Sequence, residues 1–135
     1  MSKGNCQMWS SYAQAALRVV SAYAFMLHGA AKLLHVPHVA GYDNLQLFSL
    51  IGLAGVIELV FGGLLLIGLF TRVAAIIMSG EMAVAYFMAH ASRGNPLFPF
   101  MNGGEAAVLY CFIFLFLAVA GGGACSIDRL RGARW

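Results

Sequence analysis

The chain has 135 residues, of which 61% are hydrophobic and only 10% charged, with a mean hydropathy of +0.83, whereas soluble domains are roughly one quarter charged. That composition argues against a soluble fold and predicts an all-α, polytopic membrane protein. The net charge of +3 and pI of about 9.0 point to basic residues gathered at one membrane face, and no large soluble surface is left for a nucleic acid. Cys6, Cys111 and Cys125 form neither CxxC nor CxxCH, so neither a dithiol redox pair nor c-type haem attachment is signalled.

The segment MSKGNCQMWSSY has one lysine and no apolar core before Tyr12, so insertion is expected through the first helix itself and not through a cleavable signal peptide. Apolar runs predict helices at about 11–34, 50–69, 73–91 and 105–123, each near the roughly 20 residues that span hydrocarbon. At about 100° per residue, Gln14, Arg18, Ser21, His28 and Lys32 of the first helix fall within a sector of roughly 80°. A polar stripe at bilayer depth must face protein or a wet cavity. Arg18 and Lys32 lie near opposite ends, within reach of the headgroups. His28 lies deeper.

An outer loop, HVPHVAGYDNLQLFS (35–49), leads to the second helix, which carries Glu58 near its middle with Gly55 and Gly62 on nearly the same face. Small residues admit a neighbouring backbone, so Glu58 is expected to point inward. Phe70-Thr71-Arg72 is short enough to force an antiparallel hairpin into the third helix, which carries Glu81. Each mid-membrane acid needs a proton or a cation. Matching by depth pairs Arg18 with Glu81 and His28 with Glu58, or the reverse. The rival reading is that such pairs only fix helix register.

The second outer loop, SRGNPLFPFMNGG (92–104), ends at Asn102 and Glu105, which have the spacing of a capping box opening the fourth helix. Glu105 would also lie at the outer rim beside Lys32. Four crossings put both termini on the side of Thr71-Arg72. That side collects Lys3, Arg18, Arg72, Arg129, Arg131 and Arg134, against Lys32 and Arg93 opposite, so the termini are expected in the cytoplasm. The tail 124–135, with RLRGARW ending in Trp135, reads as a cationic and aromatic anchor at an anionic leaflet. No internal repeat is seen, and the chain reads as one membrane domain over 1–135.

No HExxH, Walker loop, GxSxG or dinucleotide fingerprint occurs. No metal set is favoured. His28, His35, His38 and His90, with Asp43 and Glu105, are the ligand types available, and His28 with His90 is the pair two helices could offer a haem. Met78, Met82, Tyr86, Phe87 and Met88 form an apolar stripe. Beside it His28, Lys32, Tyr86 or Glu105 could hydrogen-bond the carbonyls of a quinone, and Arg18 joins them as a candidate ligand-binding residue.

HGAAKLL (28–34), GVIELVFGGLLLIGLFTR (55–72), NGGEAAVLY and GGGACSID (121–128), with Arg18 ahead of them, together resemble the DoxX family of small four-helix membrane proteins over about residues 15–128. The spacing of Glu58, Gly62, Leu65, Gly68, Thr71 and Arg72 is the most specific part. The resemblance implies a four-helix bundle in a bacterial inner membrane, in a family linked to quinone-dependent redox chemistry. Related DoxD-type subunits are associated with thiosulfate:quinone oxidoreductase. By the same resemblance Arg18, Lys32, Glu58, Arg72 and Glu105 match recurring polar positions, and a partner subunit would carry much of the electron chemistry.

The leading expectation is therefore a DoxX-like subunit of a respiratory or redox complex, with His28, Glu58 and Glu81 supporting quinone access or proton movement. The alternative is a non-catalytic scaffold whose polar residues only lock helices together. A small-solute transporter would need an inverted repeat or a broken helix, or a homo-oligomer enclosing a path.

Overall fold

In the computed structural model, which describes residues 3–132, every long element is a helix and no strand occurs among the described residues. α1 runs over Lys3–Leu33, α2 over Leu50–Ile67 and α3 over Thr71–Ala85. α3 continues through a π-helical turn, Tyr86–His90, and a 3-10 turn, Ala91–Arg93. A short α4 (Pro99–Asn102), α5 (Glu105–Ala120) and a short α6 (Ile127–Leu130) complete the order. Arg134 and Trp135 of the expected tail anchor lie outside the described residues.

Local chemistry sets most boundaries. Ser49 caps α2 by accepting the Gly52 N–H at 3.1 Å. Gly68 ends that helix in the left-handed region, φ 70°, and donates back to Leu64 and Leu65, as a C-terminal glycine does. Gly121, φ 87°, stops α5. α1 begins at Lys3, ahead of the expected 11, because helix extends past the apolar run into polar sequence. Its 31 residues span roughly 46 Å at 1.5 Å each, longer than a hydrocarbon core of about 30 Å.

α1 packs on α2, α3 on α5, and α2 on α3. The core holds Ala22, Phe25, Leu65, Met78, Phe114 and Leu117, all at most 1% exposed. Between α1 and α2 the packing needs glycine. A Cβ on Gly29 would lie 2.8 Å from the Gly55 carbonyl and 2.9 Å from Leu59, and one on Gly62 would lie 2.6 Å from Met26. Such close approach is how helices associate where water supplies no drive.

The outside is apolar: Val20, Ile76, Phe112 and Val119 are each more than 60% exposed. Leu50–Ile67 and Thr71–Arg93 are long and apolar enough to cross a membrane, and Glu105–Ala120 is a shorter apolar helix.

Candidate functional site

The buried charges separate to two ends of the molecule. Near the α2–α3 turn, Arg18 is 1% exposed. Its Nη1 donates to the carbonyls of Leu65 (2.7 Å) and Leu66 (2.5 Å), Nε to Gly122 (2.9 Å) and Nη2 to Cys125 (3.2 Å). The last turn of any helix leaves carbonyls without intrahelical partners, and the negative end of the helix dipole favours a cation there. The guanidinium is thus shared by α2 and the α5–α6 connection. The expected Arg18–Glu81 pair does not form. Backbone carbonyls, which no charge pattern reveals, occupy the fork.

Asp128 completes this end. Its Oδ1 accepts the Phe70 N–H at 2.9 Å and its Oδ2 the Thr71 N–H at 2.8 Å, while its own N–H donates to the Gly68 carbonyl at 2.9 Å. The carboxylate therefore caps α3 from 57 residues away. Partial burial pushes the Asp128 carboxyl up, but the Thr71 and Phe70 N–H groups and the Arg131 charge outweigh it and hold the group below the usual carboxylate range. The reading of single residues missed this role. No local pattern in the sequence couples Asp128 to Thr71, 57 positions away.

At the other end α1, α2, α3 and α5 enclose a cavity of about 620 Å³. Its polar lining includes His28 and Lys32 from α1, Glu58 from α2, Glu81 from α3, His90 and Tyr110. Apolar side chains such as Phe25, Leu50, Ile51, Met82 and Met88 supply most of the rest. Lys32 Nζ lies 2.6 Å from Glu58 Oε1, with the two side chains 12% and 2% exposed. This corrects two expectations. Lys32 does not reach outward to the headgroups, and Glu58 is paired with Lys32 and not with His28. Depth matching failed because the long lysine stem reaches inward along α1.

The cavity is not electrostatically closed. Glu58 Oε2, both carboxyl oxygens of Glu81 and His90 Nδ1 are buried with no hydrogen-bond partner. Two carboxyl groups thus share the cavity with the Lys32 ammonium and with the Arg93 guanidinium, which is exposed. His28 lies in edge contact with Phe25 and Tyr110, ring centroids 6.5 and 6.4 Å away. The π-helical turn, a feature common at functional sites, carries Met88, Ala89 and His90 of the lining. Met88, Ala89 and Arg93 are also exposed, so the cavity reaches the surface.

Other candidates fall outside. Tyr86 donates its hydroxyl to the Pro96 carbonyl at 2.6 Å and accepts from Asn102 Nδ2 at 3.2 Å. It fastens the 92–104 loop and leaves the ligand role unfilled. Glu105 is the exposed first residue of α5, and the expected Glu105–Lys32 pair is absent because Glu58 holds Lys32. The capping box is absent too: Asn102 is the last residue of α4, its Oδ1 accepts the Gly104 N–H at 2.9 Å, and Gly104 is the N-cap. His38 meets Asp43 at 2.8 Å in the 35–49 loop, both exposed. His35 is exposed, with φ 55°. Among the described residues no three or more His, Cys, Asp or Glu cluster as a metal set.

The chain is 48% identical over 127 residues, 93% of its own length and 95% of the other, to an uncharacterized protein of Haemophilus influenzae (strain ATCC 51907 / DSM 11121 / KW20 / Rd). No solved structure matches it. The DoxX profile matches residues 13–91, which include Arg18, Lys32, Glu58 and Glu81, while Asp128 and GGGACSID lie beyond. With more than half its length matched, the chain belongs to the DoxX family.

Proposed function

We propose that this chain crosses a bacterial inner membrane four times as an antiparallel bundle, with both termini in the cytoplasm, and that its outward cavity binds a quinone-class ligand within a membrane redox assembly. The apolar exterior and the basic residues at the α2–α3 end support the topology. One observation carries the ligand reading. Of the five buried polar side-chain atoms without partners among the described residues, four belong to Glu58, Glu81 and His90 in this cavity. Unsatisfied buried polar atoms are rare in native structures and call for an explanation.

A flat, apolar ligand with two carbonyl oxygens fits the chemistry. The apolar walls take the ring, and Lys32 and a protonated acid donate to the oxygens. Reducing a quinone to a quinol consumes two electrons and two protons. A partner subunit would supply the electrons. Glu58, Glu81 and His28 are the groups beside the cavity able to hold and pass the protons.

Photolabelling tests the reading. The purified protein is irradiated with a photoreactive short-chain quinone, and labelled peptides are identified by mass spectrometry. Label is expected at 82–93 or 103–110, suppressed by excess unlabelled quinone and weakened by Glu81→Gln. Absence of competed label there rejects quinone binding, and a Soret band retained by the isolated protein substitutes a haem held by His28 and His90.

The scaffold reading is supported by Arg18, whose buried guanidinium is taken up by backbone carbonyls of packed elements. If electron transfer by the intact complex survives Glu58→Gln and His28→Ala, that reading replaces the first.

A further inference from the structure

A second, unrelated cleft lies at the opposite end. It encloses about 870 Å³ between the beginning of α1, Arg72 of α3, the Gly121–Gly123 turn and Arg129 of α6. Its charges are unevenly committed. Asp128 also lines it, but both carboxylate oxygens accept backbone N–H groups. Arg72 has one contact among the described residues, Nη1 to the Ala118 carbonyl at 3.5 Å, and Arg129 Nη1 lies 3.4 Å from Ser11 Oγ. Both distances are beyond the usual range for an N–H···O bond, so two guanidinium groups keep most of their five donors each for something else.

The rest of the lining suits an anion with oxygen acceptors. Gly121 and Gly123 bring bare backbone to the cleft at φ 87° and 70°. The Arg72 guanidinium lies beside Gly121, whose positive φ disfavours a side chain there. Guanidinium matches phosphate geometry through two parallel hydrogen bonds, better than an ammonium does.

Depth identifies the source of the phosphate. Trp9 is 63% and Tyr12 51% exposed on the same part of α1, and exposed amphipathic aromatics mark the membrane–water interface. In the topology proposed above, α1 is longer than the hydrocarbon is thick, which puts its polar first turns among headgroups. We propose that this cleft binds the phosphate of an anionic phospholipid headgroup through Arg72 and Arg129, with the acyl chains lying along the apolar outside of α1. The site does not depend on quinone binding at the other end.

Native mass spectrometry of the delipidated full chain in detergent tests this, with phosphatidylglycerol and phosphatidylcholine as probes. The first phosphatidylglycerol is expected to bind about tenfold more weakly to Arg72→Gln, the loss of one charge-assisted pair, and severalfold more weakly to Arg129→Gln. Arg131→Gln removes the same charge from the same end without touching the cleft and should stay within about twofold. Phosphatidylglycerol should raise the Tm of the wild type and of Arg131→Gln, but not that of Arg72→Gln. Because Arg129 is exposed, Arg129→Gln keeps the test open if Arg72→Gln fails to fold. Equal binding of phosphatidylcholine, wild-type binding by both cleft variants, or displacement of the lipid by millimolar inorganic phosphate each overturns the proposal, the last in favour of a free-phosphate site.

Discussion

The two ends of this molecule bury charge in opposite ways. At the α2–α3 turn, Arg18 finds four carbonyls and Asp128 finds two N–H groups, so both ions are satisfied by backbone. At the cavity, Lys32 pairs with one oxygen of Glu58, and three carboxyl oxygens and a ring nitrogen find nothing. The contrast separates architecture from site. A buried ion whose bonds are complete holds helices in place, whereas one left incomplete beside empty space is poised for a ligand or a proton.

The largest test of that contrast is Arg18→Met. It strips hydrogen bonds from four carbonyls while leaving them buried, and removing one partner of a buried charged network is strongly destabilising, about 3–5 kcal/mol. The expected outcome is loss of folded protein, or a fall in Tm in detergent of many degrees, with cavity variants far milder. A small change would show that the carbonyls find other partners and that this end is not the lock.

Lys32→Met comes next. It leaves Glu58 buried without its cation and should destabilise by up to about 3–5 kcal/mol. Adding Glu58→Gln should recover most of that loss, because a well-packed neutral pair can equal a buried ion pair. A double-mutant cycle by thermal unfolding measures the recovery. If the double variant is as unstable as Lys32→Met alone, the ion pair is structural and the cavity resembles the other end.

Asp128→Asn should have a smaller effect, about 0.5–2 kcal/mol, the range for loss of a helix cap. The pH dependence follows from the depressed pKa of Asp128. A carboxyl held lower in the folded state than in the unfolded one adds stability that is fully present above the unfolded value of about 3.9. That contribution is lost as pH falls through the folded pKa. Unfolding curves of wild type and Asp128→Asn should therefore differ at neutral pH and converge in acid, as long as other carboxyls titrate alike in both.

How far the sequence could be read follows the same division. The polar stripe of α1 was legible in part: Arg18 and Ser21 are 1% and 5% exposed and Gln14 and Lys32 partly buried, whereas His28 is exposed. The gathering of His28, Glu58 and Glu81 at one place was also legible, from acids too deep to reach water. Their partners were not. Side-chain letters show charges but not the orphan carbonyls at the end of α2 that Arg18 meets in place of an acid. A depth estimate treats each side chain as a point at its Cα, so the inward reach of Lys32 was lost. Asp128 is remote in sequence from the helix it caps, and no local pattern announces that pairing.

Glu105 offers the smallest effect and closes the comparison. Its spacing from Asn102 suggested a capping box, but Gly103 at φ 73° ends α4 and turns the chain, so Gly104 takes the cap position. What remains for Glu105 is its charge at the first turn of α5, a favourable place with respect to the helix dipole worth typically 0.3–1 kcal/mol and screened by salt. Glu105→Gln should therefore lower stability by less than about 1 kcal/mol, with the difference shrinking in high salt and photolabelling of the cavity unchanged. A larger loss that salt does not reduce would mean that Glu105 makes a specific contact. A loss of labelling would extend the site to the first turn of α5, and the boundary between satisfied and unsatisfied charge would move with it.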